Sequence, residues 1–201
     1  MSFDTLGRME KCIFLDRDGV MIEDVHLLCR RDDISILSSL EKFLSWAKSE
    51  GYKIVVVTNQ TVVSRGLLSY KEMNELNQFI LDSVESLAGK KLFDGLYICP
   101  HHPEATLKDY RIDCECRKPK PGMLLKAAKE LNLDLSKSFF IGDRLSDVIA
   151  GNLAGVRTIL LEGKFSESTL IKSSLKIEEK DKLPWKRASS FVEIIKTLEA
   201  L

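Results

Sequence analysis

Two aspartates one residue apart, Asp16 and Asp18, close an apolar run in Cys12-Ile13-Phe14-Leu15-Asp16-Arg17-Asp18-Gly19. Carboxylates this close repel unless a cation or a shared proton lies between them. Hard oxygen ligands favour magnesium, which keeps coordination positions for water and phosphate. A calcium loop of the D-x-D-x-D-G type needs a third carboxylate two residues on, where this chain has Val20. A solvated Asp-x-Asp-Gly turn has the same local composition, so the pair alone decides nothing.

Other polar groups stand at comparable places. The β-branched run Lys53-Ile54-Val55-Val56-Val57 stops at Thr58-Asn59-Gln60, and Ser138-Phe139-Phe140-Ile141 stops at Gly142-Asp143-Arg144-Leu145-Ser146-Asp147. Lys118 precedes the helix that leads to the second of these runs. Ligands of open α/β sheets bind beyond the carboxyl ends of strands. Carboxylates with magnesium, one hydroxyl and one lysine make a site for a phosphoryl group, whose transfer depends on positioning and charge neutralisation. An aspartate can be the nucleophile in such a site.

A second constellation is softer. Cys99-x-His101, then twelve residues, then Cys114-x-Cys116, offers four ligands suited to a closed tetrahedral zinc. The cluster abuts Arg117-Lys118, so zinc would brace the loop that presents Lys118. His102 is the alternative to His101, and reduced thiols are the alternative to zinc. Cys12 belongs to a buried strand, and Cys29 has no partner by this pattern.

The elements that must position these groups follow from periodicity. Strands are expected over 11–15, 53–57, 93–98, 138–141 and 156–161, and helices over 38–49, 69–87, 123–131, from after Asp147 through Ala154, and 191–201. Ser69 and Glu72 form a capping box for the long helix. Residues 1–10 read as a loose leader, 21–33 as a loop over the pocket, and 162–185 as a polar surface excursion. Alternating strands and helices imply right-handed βαβ units and a three-layer, Rossmann-like α/β fold on a parallel sheet. No second core is evident, so 1–201 is expected to be a single domain with the zinc loop, 99–116, inserted.

Thirty basic and thirty acidic residues cancel, which gives no global field for nucleic acid or an anionic membrane. No run is long and apolar enough to span a bilayer, and the N-terminus lacks a signal-peptide core. Clustered cysteines, odd in number at five, favour metal over disulfides in a reducing compartment. A cytoplasmic monomer acting on a small molecule is the expectation.

Asp16-Arg17-Asp18-Gly19, Thr58-Asn59, Lys118 and Gly142-Asp143-Arg144-Leu145-Ser146-Asp147 resemble, in order, the four motifs of the haloacid dehalogenase-like (HAD) phosphatases. The resemblance covers about 11–161 and implies a HAD-like fold. It makes Asp16 the nucleophile and Asp18 the general acid and base. It assigns magnesium to Asp16, Asp143 and the Asp18 carbonyl, the phosphoryl group to Thr58 and Lys118, and a supporting role to Asp147. The cysteine loop with Arg117-Lys118-Pro119-Lys120-Pro121-Gly122-Met123, and Thr58-Asn59-Gln60 with Arg65-Gly66 upstream, is similar to the D-glycero-D-manno-heptose 1,7-bisphosphate phosphatases, near relatives of the histidinol-phosphate phosphatases. This implies no large cap and removal of the 7-phosphate on the route to surface glycans such as lipopolysaccharide. It also places Asn59, Gln60, Arg65 and Arg117 against the phosphorylated sugar.

The substrate loops depart from that family. Val62 stands where the family has glycine, and valine cannot take the backbone angles glycine allows. Ile22, His26 and Leu27 stand where it has asparagine, glycine and tyrosine. These departures predict an altered leaving-group pocket. A histidinol-phosphate phosphatase and a catalytically silent zinc module are the competing readings. The latter has no need of a nucleophile and an acid together.

Overall fold

The computed structural model describes residues 9–163 and 175–201. Most of the expected leader and the middle of the expected polar excursion, 164–174, lie outside the described residues. The elements run β1 (Cys12–Leu15), α1 (Leu40–Ser49), β2 (Lys53–Asn59), α2 (Tyr70–Ala88), β3 (Gly95–Cys99), α3 (Gly122–Leu131), β4 (Phe139–Gly142), α4 (Leu145–Leu153), β5 (Arg157–Leu161), β6 (Lys186–Ala188) and α5 (Phe191–Glu199).

All pairings among the six strands are parallel, in the order β3-β2-β1-β4-β5-β6. Strand side chains alternate between faces, and here both faces are buried. Ile13 and Leu15 join Ile54 and Val56 in a core with Leu40, Phe43, Ile80 and Ile194, which come from α1, α2 and α5. Cys12, Phe14, Val55 and Val57 face the other way, onto Met123, Leu124, Ala127 and Ala150 of α3 and α4. This is the expected three-layer α/β architecture. The long helix starts at the expected capping box, with Ser69 Oγ accepting from Glu72 N at 3.2 Å and Glu72 Oε2 accepting from Ser69 N at 2.8 Å.

The chain builds β1, β2 and β3 outward in one direction, then crosses to β4 and builds outward in the other. The order therefore reverses between β1 and β4, where neither crossover helix covers the strand ends and a crevice opens.

Residues 186–188, to which the sequence pattern assigns no element, form a sixth strand on the edge. Its first two residues, Lys186 and Arg187, are exposed, so the short segment carries no apolar signal. The far part of the expected surface excursion is anchored. A 3-10 turn at Glu179–Lys182 docks on α4, where Asn152 Nδ2 donates to the carbonyls of Asp181 and Leu183 at 2.9 Å.

Candidate active site

Asp16 follows β1 directly, and its N–H still pairs with Ile141 O of β4 at 3.0 Å. Asp143 follows β4. The two carboxylates thus leave adjacent strands at the reversal point. Asp147 is added from the first turn of α4, and the ligand atoms of Asp16, Asp143 and Asp147 lie within 4.8 Å of one another. Gly19 permits this packing. Its φ is +78°, and a Cβ there would lie 2.1 Å from Asp143 Oδ2.

Lys118 joins them from the turn that follows Cys116, almost wholly buried. Its Nζ lies 2.8 Å from Asp16 Oδ1, 2.7 Å from Asp147 Oδ1 and 3.0 Å from the Val57 carbonyl. Burial pulls the ammonium towards neutrality, but Asp147 and Asp16 outweigh it and hold Lys118 protonated above the usual lysine range. Burial pushes Asp16 up; Lys118 opposes this, and Asp147 adds to it. Asp143 is pushed up to about 8 by burial and by the charges of Asp147 and Asp16. Its Oδ1 is buried without a hydrogen bond, and Arg144 Nε stands off at 3.9 Å. Buried charge without a partner is costly. An orphaned carboxylate oxygen beside two further carboxylates is the donor set of a hard divalent cation, so the residues present fit magnesium.

Asp18 is held differently. Arg17 donates from Nε to Asp18 Oδ1 at 3.1 Å, and from Nη2 to Oδ1 at 2.8 Å and Oδ2 at 3.0 Å. Gln60 Nε2 donates to Asp18 Oδ2 at 2.8 Å and to Thr58 Oγ1 at 2.9 Å. Asn59 does not reach outward: its amide exchanges two 3.1 Å bonds with the backbone of Lys118. Arg17, Asp18, Asn59 and Gln60 line a cavity of about 460 Å³ whose lining also includes Leu27, Val62, Arg65, His102 and Arg117. That volume suits a small metabolite.

The second cluster sits 99–116. Cys99 Sγ lies 3.5 Å from Cys114 Sγ and 3.2 Å from Cys116 Sγ, which is 3.1 Å from Cys114 Sγ. His101 Nδ1 lies 3.8 Å from Cys99 Sγ and 3.5 Å from Cys116 Sγ. All the cysteines are free thiols. Ligands about 2.3 Å from one central zinc stand about 3.7 Å apart in a tetrahedron, so this set is compatible with zinc. Contacts with Cys99, Cys114 and His101 lower Cys116 to about 5 against the effect of burial, while Cys99 is raised. One thiolate shared among crowded thiols is the state that a bound cation resolves. The loop is tied to its exit: Lys120 Nζ meets Asp113 at 2.9 Å and Glu115 at 3.0 Å, and Gly122 N donates to Glu115 O at 3.1 Å. Arg117 Nη1 donates to His101 O at 3.1 Å.

A HAD-hydrolase-like family model matches residues 115–182. The D-glycero-β-D-manno-heptose-1,7-bisphosphate 7-phosphatase of Haemophilus ducreyi is 39% identical over 152 residues, 76% of this chain and 82% of that one. The chain belongs to the HAD-like phosphatases. Within that family, the enzyme of the same name from Helicobacter pylori strain 26695 is 37% identical over 185 residues, 92% of this chain and 95% of its own. The crystal structure of the D,D-heptose 1,7-bisphosphate phosphatase from B. bronchiseptica, complexed with magnesium and phosphate, superposes with a TM-score of 0.76 at 25% identity. The match covers 94% of this chain and 98% of that one.

Against the HAD-like phosphatase pattern, the fold gathers Asp16, Asp18 and Lys118 at one mouth, with Gln60, Arg65 and Arg117 around it and Asp143 clustered with Asp16. Thr58 is fully buried beneath, with its hydroxyl turned to Gln60. One of the expected loop departures needs correction. Ile22 is fully buried in the core cluster and takes no part in the pocket wall. Val62 lines the pocket without a left-handed backbone, packed with Val63 and Met73. His26 does take a left-handed φ of 60° at the glycine place, and its N–H bonds Asp24 Oδ1 at 2.7 Å. Sequence reasoning missed Arg17, Asn77 and the ion pair between Asp24 and Arg144. Arg17 was signalled, since an arginine between two clustered aspartates at a buried strand end has to pair.

Proposed function

We propose that this chain is a magnesium-dependent phosphatase that removes the 7-phosphate of D-glycero-β-D-manno-heptose 1,7-bisphosphate by way of a phosphoryl group carried on Asp16. The observation that carries the reading is the posture of Asp16. Its Oδ1 accepts from Arg17 N at 2.7 Å and lies 2.8 Å from Lys118 Nζ, so that face is fixed. Oδ2 is the oxygen left to attack phosphorus in line with the departing sugar oxygen. Asp18, at the same mouth, gives the leaving oxygen its proton. It then takes a proton from the water that attacks the phosphorus, which breaks the bond to Asp16 and frees phosphate. Lys118 stays protonated throughout and offsets the charge of the phosphoryl oxygens. Asp16, Asp143 and the Asp18 carbonyl would hold magnesium, which supplies further charge neutralisation. Asp147 keeps Lys118 in place.

The zinc loop, on this reading, is structural. Zinc on Cys99, His101, Cys114 and Cys116 would fix Arg117 and Lys118. Arg65 and Arg117 line the outer cavity and suit the phosphate that is retained. The residues given roles here all belong to this chain, and a monomer is part of the proposal. Among the described residues no helix is long and apolar enough to cross a membrane, and reduced thiols fit a cytoplasmic enzyme.

Phosphate release with magnesium, from both heptose 1,7-bisphosphate anomers, histidinol phosphate and common hexose phosphates, tests the reading. Preference for the β-heptose is expected. Preference for another phosphate ester would overturn the substrate and keep the chemistry. No turnover by folded protein would overturn both and favour a zinc-bearing binding module.

A further inference from the structure

The buried face of α2 carries Met73, Leu76, Ile80, Leu81 and Val84, and among them Asn77, only 1% exposed. A leucine would fill this stripe without a polar atom to satisfy. Asn77 Oδ1 accepts from Arg17 Nη1 at 2.7 Å, while its Nδ2 finds no hydrogen-bond partner among the described residues. The amide orientation is set by chemistry, because a guanidinium can only donate. Half of this amide is therefore left unsatisfied in the core, which lowers stability. Only the acceptor half has work to do. The Arg17 guanidinium is itself buried, and its remaining edge makes a fork on both oxygens of Asp18. Gln60 meets the same carboxylate from β2's side. Asp18 lies at the end of a relay that starts on a helix remote from the cavity.

We infer that Asn77 is a positioning residue for the reaction: through Arg17 it sets where the Asp18 carboxylate stands. This rests on Asp18 being the acid and base of the proposed function. Without the Asn77 acceptor, Arg17 Nη1 is unpaired and free to turn, and the fork that aims Asp18 turns with it. Asp16 is held by Lys118 and its own neighbours, so the nucleophile does not move.

That asymmetry gives the test. The leaving group of p-nitrophenyl phosphate departs without a proton, so its first step needs Asp16 and not Asp18. The second step needs Asp18 to take the proton of water as the phosphorus–Asp16 bond breaks. Rapid-mixing kinetics with p-nitrophenyl phosphate and magnesium should show that Asn77→Leu keeps a burst of p-nitrophenolate close to one per enzyme at the wild-type rate. Steady turnover after it should fall about tenfold or more, as small misplacements of a catalytic group do. Asn77→Asp, which keeps an acceptor for Arg17, should restore most of the turnover. Equal loss of burst and turnover in both variants would make Asn77 merely structural, and unchanged turnover in Asn77→Leu would also overturn the proposal. If the unaltered chain releases neither phenolate from this ester nor phosphate from any sugar or histidinol phosphate, the phosphatase reading fails instead, which separates the two claims.

Discussion

The strand-end cluster and the cysteine loop are both groups of potential metal ligands, and they are held in opposite ways. Asp16 and Asp143 directly follow buried strands, and Lys118, from a turn, is fixed on them, with contacts of 2.7–3.0 Å already formed around it. Of the four soft ligands, Cys99 alone ends a strand, and His101, Cys114 and Cys116 lie in irregular chain. The first region gets its geometry from the sheet, and a cation completes its charge. The second gets its geometry from loop contacts such as Lys120 with Asp113 and Glu115, and a cation completes its structure. The lesson is that loss of metal should stop chemistry in one region and loosen the chain in the other.

The largest expected effect separates chemistry from structure. Asp16→Asn should cut phosphate release by a factor of about a thousand or more. Melting should be little changed, because Lys118 keeps Asp147 and a buried carboxylate is removed. Lys118→Met should do both kinds of damage. It leaves Asp16 and Asp147 buried without their cation, a loss of about 3 kcal/mol in urea unfolding, and turnover falls with it. An Asp147→Asn change added to it should recover part of the stability and none of the activity.

Breaking the other region should look different. Cys116→Ser should lower bound zinc in elemental analysis and lower the melting temperature. It should reduce turnover about tenfold through the displaced Lys118 loop, while the far-ultraviolet dichroism of the sheet and helices stays. Retained turnover after complete zinc loss would break the contrast drawn here.

The smallest effect belongs to a site outside both regions. Glu85 of α2 bonds Lys91 at 2.6 Å and the N–H groups of Leu92 and Phe93 at 2.9 and 3.2 Å. Burial raises its pKa, but Lys91 and those two backbone groups outweigh this and hold it below the usual glutamate range. A carboxylate lowered in the fold contributes stability above its unfolded pKa and loses it as pH falls through the folded one. Glu85→Gln should therefore flatten the acid-side fall in melting temperature slightly, with turnover and zinc content unchanged.

The strand-end logic of the fold was legible because buried parallel strands are written as short apolar runs. At the candidate site those runs end in polar groups, as at Leu15-Asp16 and Ile141-Gly142-Asp143. Strand boundaries were less legible: β2 runs on through Thr58 and Asn59, since backbone pairing with β3 continues after the apolar signal stops. β6 was invisible because an exposed edge strand of three residues needs only backbone partners. In the candidate site, residue types pointed to ligands and nucleophile, but not to who holds them. Asn59 reads as an outward amide and is spent on the Lys118 backbone. Asn77 reads as a blemish on an apolar stripe, and its meaning depends on Arg17, sixty residues away. Ile22 was misread as pocket because chain proximity to Asp18 says nothing about which way a side chain turns.

The most direct measurement is to mix the protein with magnesium and a heptose 1,7-bisphosphate, quench in acid within the first turnover, and map the phosphorylated residue by mass spectrometry. The account predicts a single acyl-phosphate on the peptide carrying Asp16, absent in Asp16→Asn. A phosphoryl group on any other residue, or phosphate release that persists in Asp16→Asn, would contradict it.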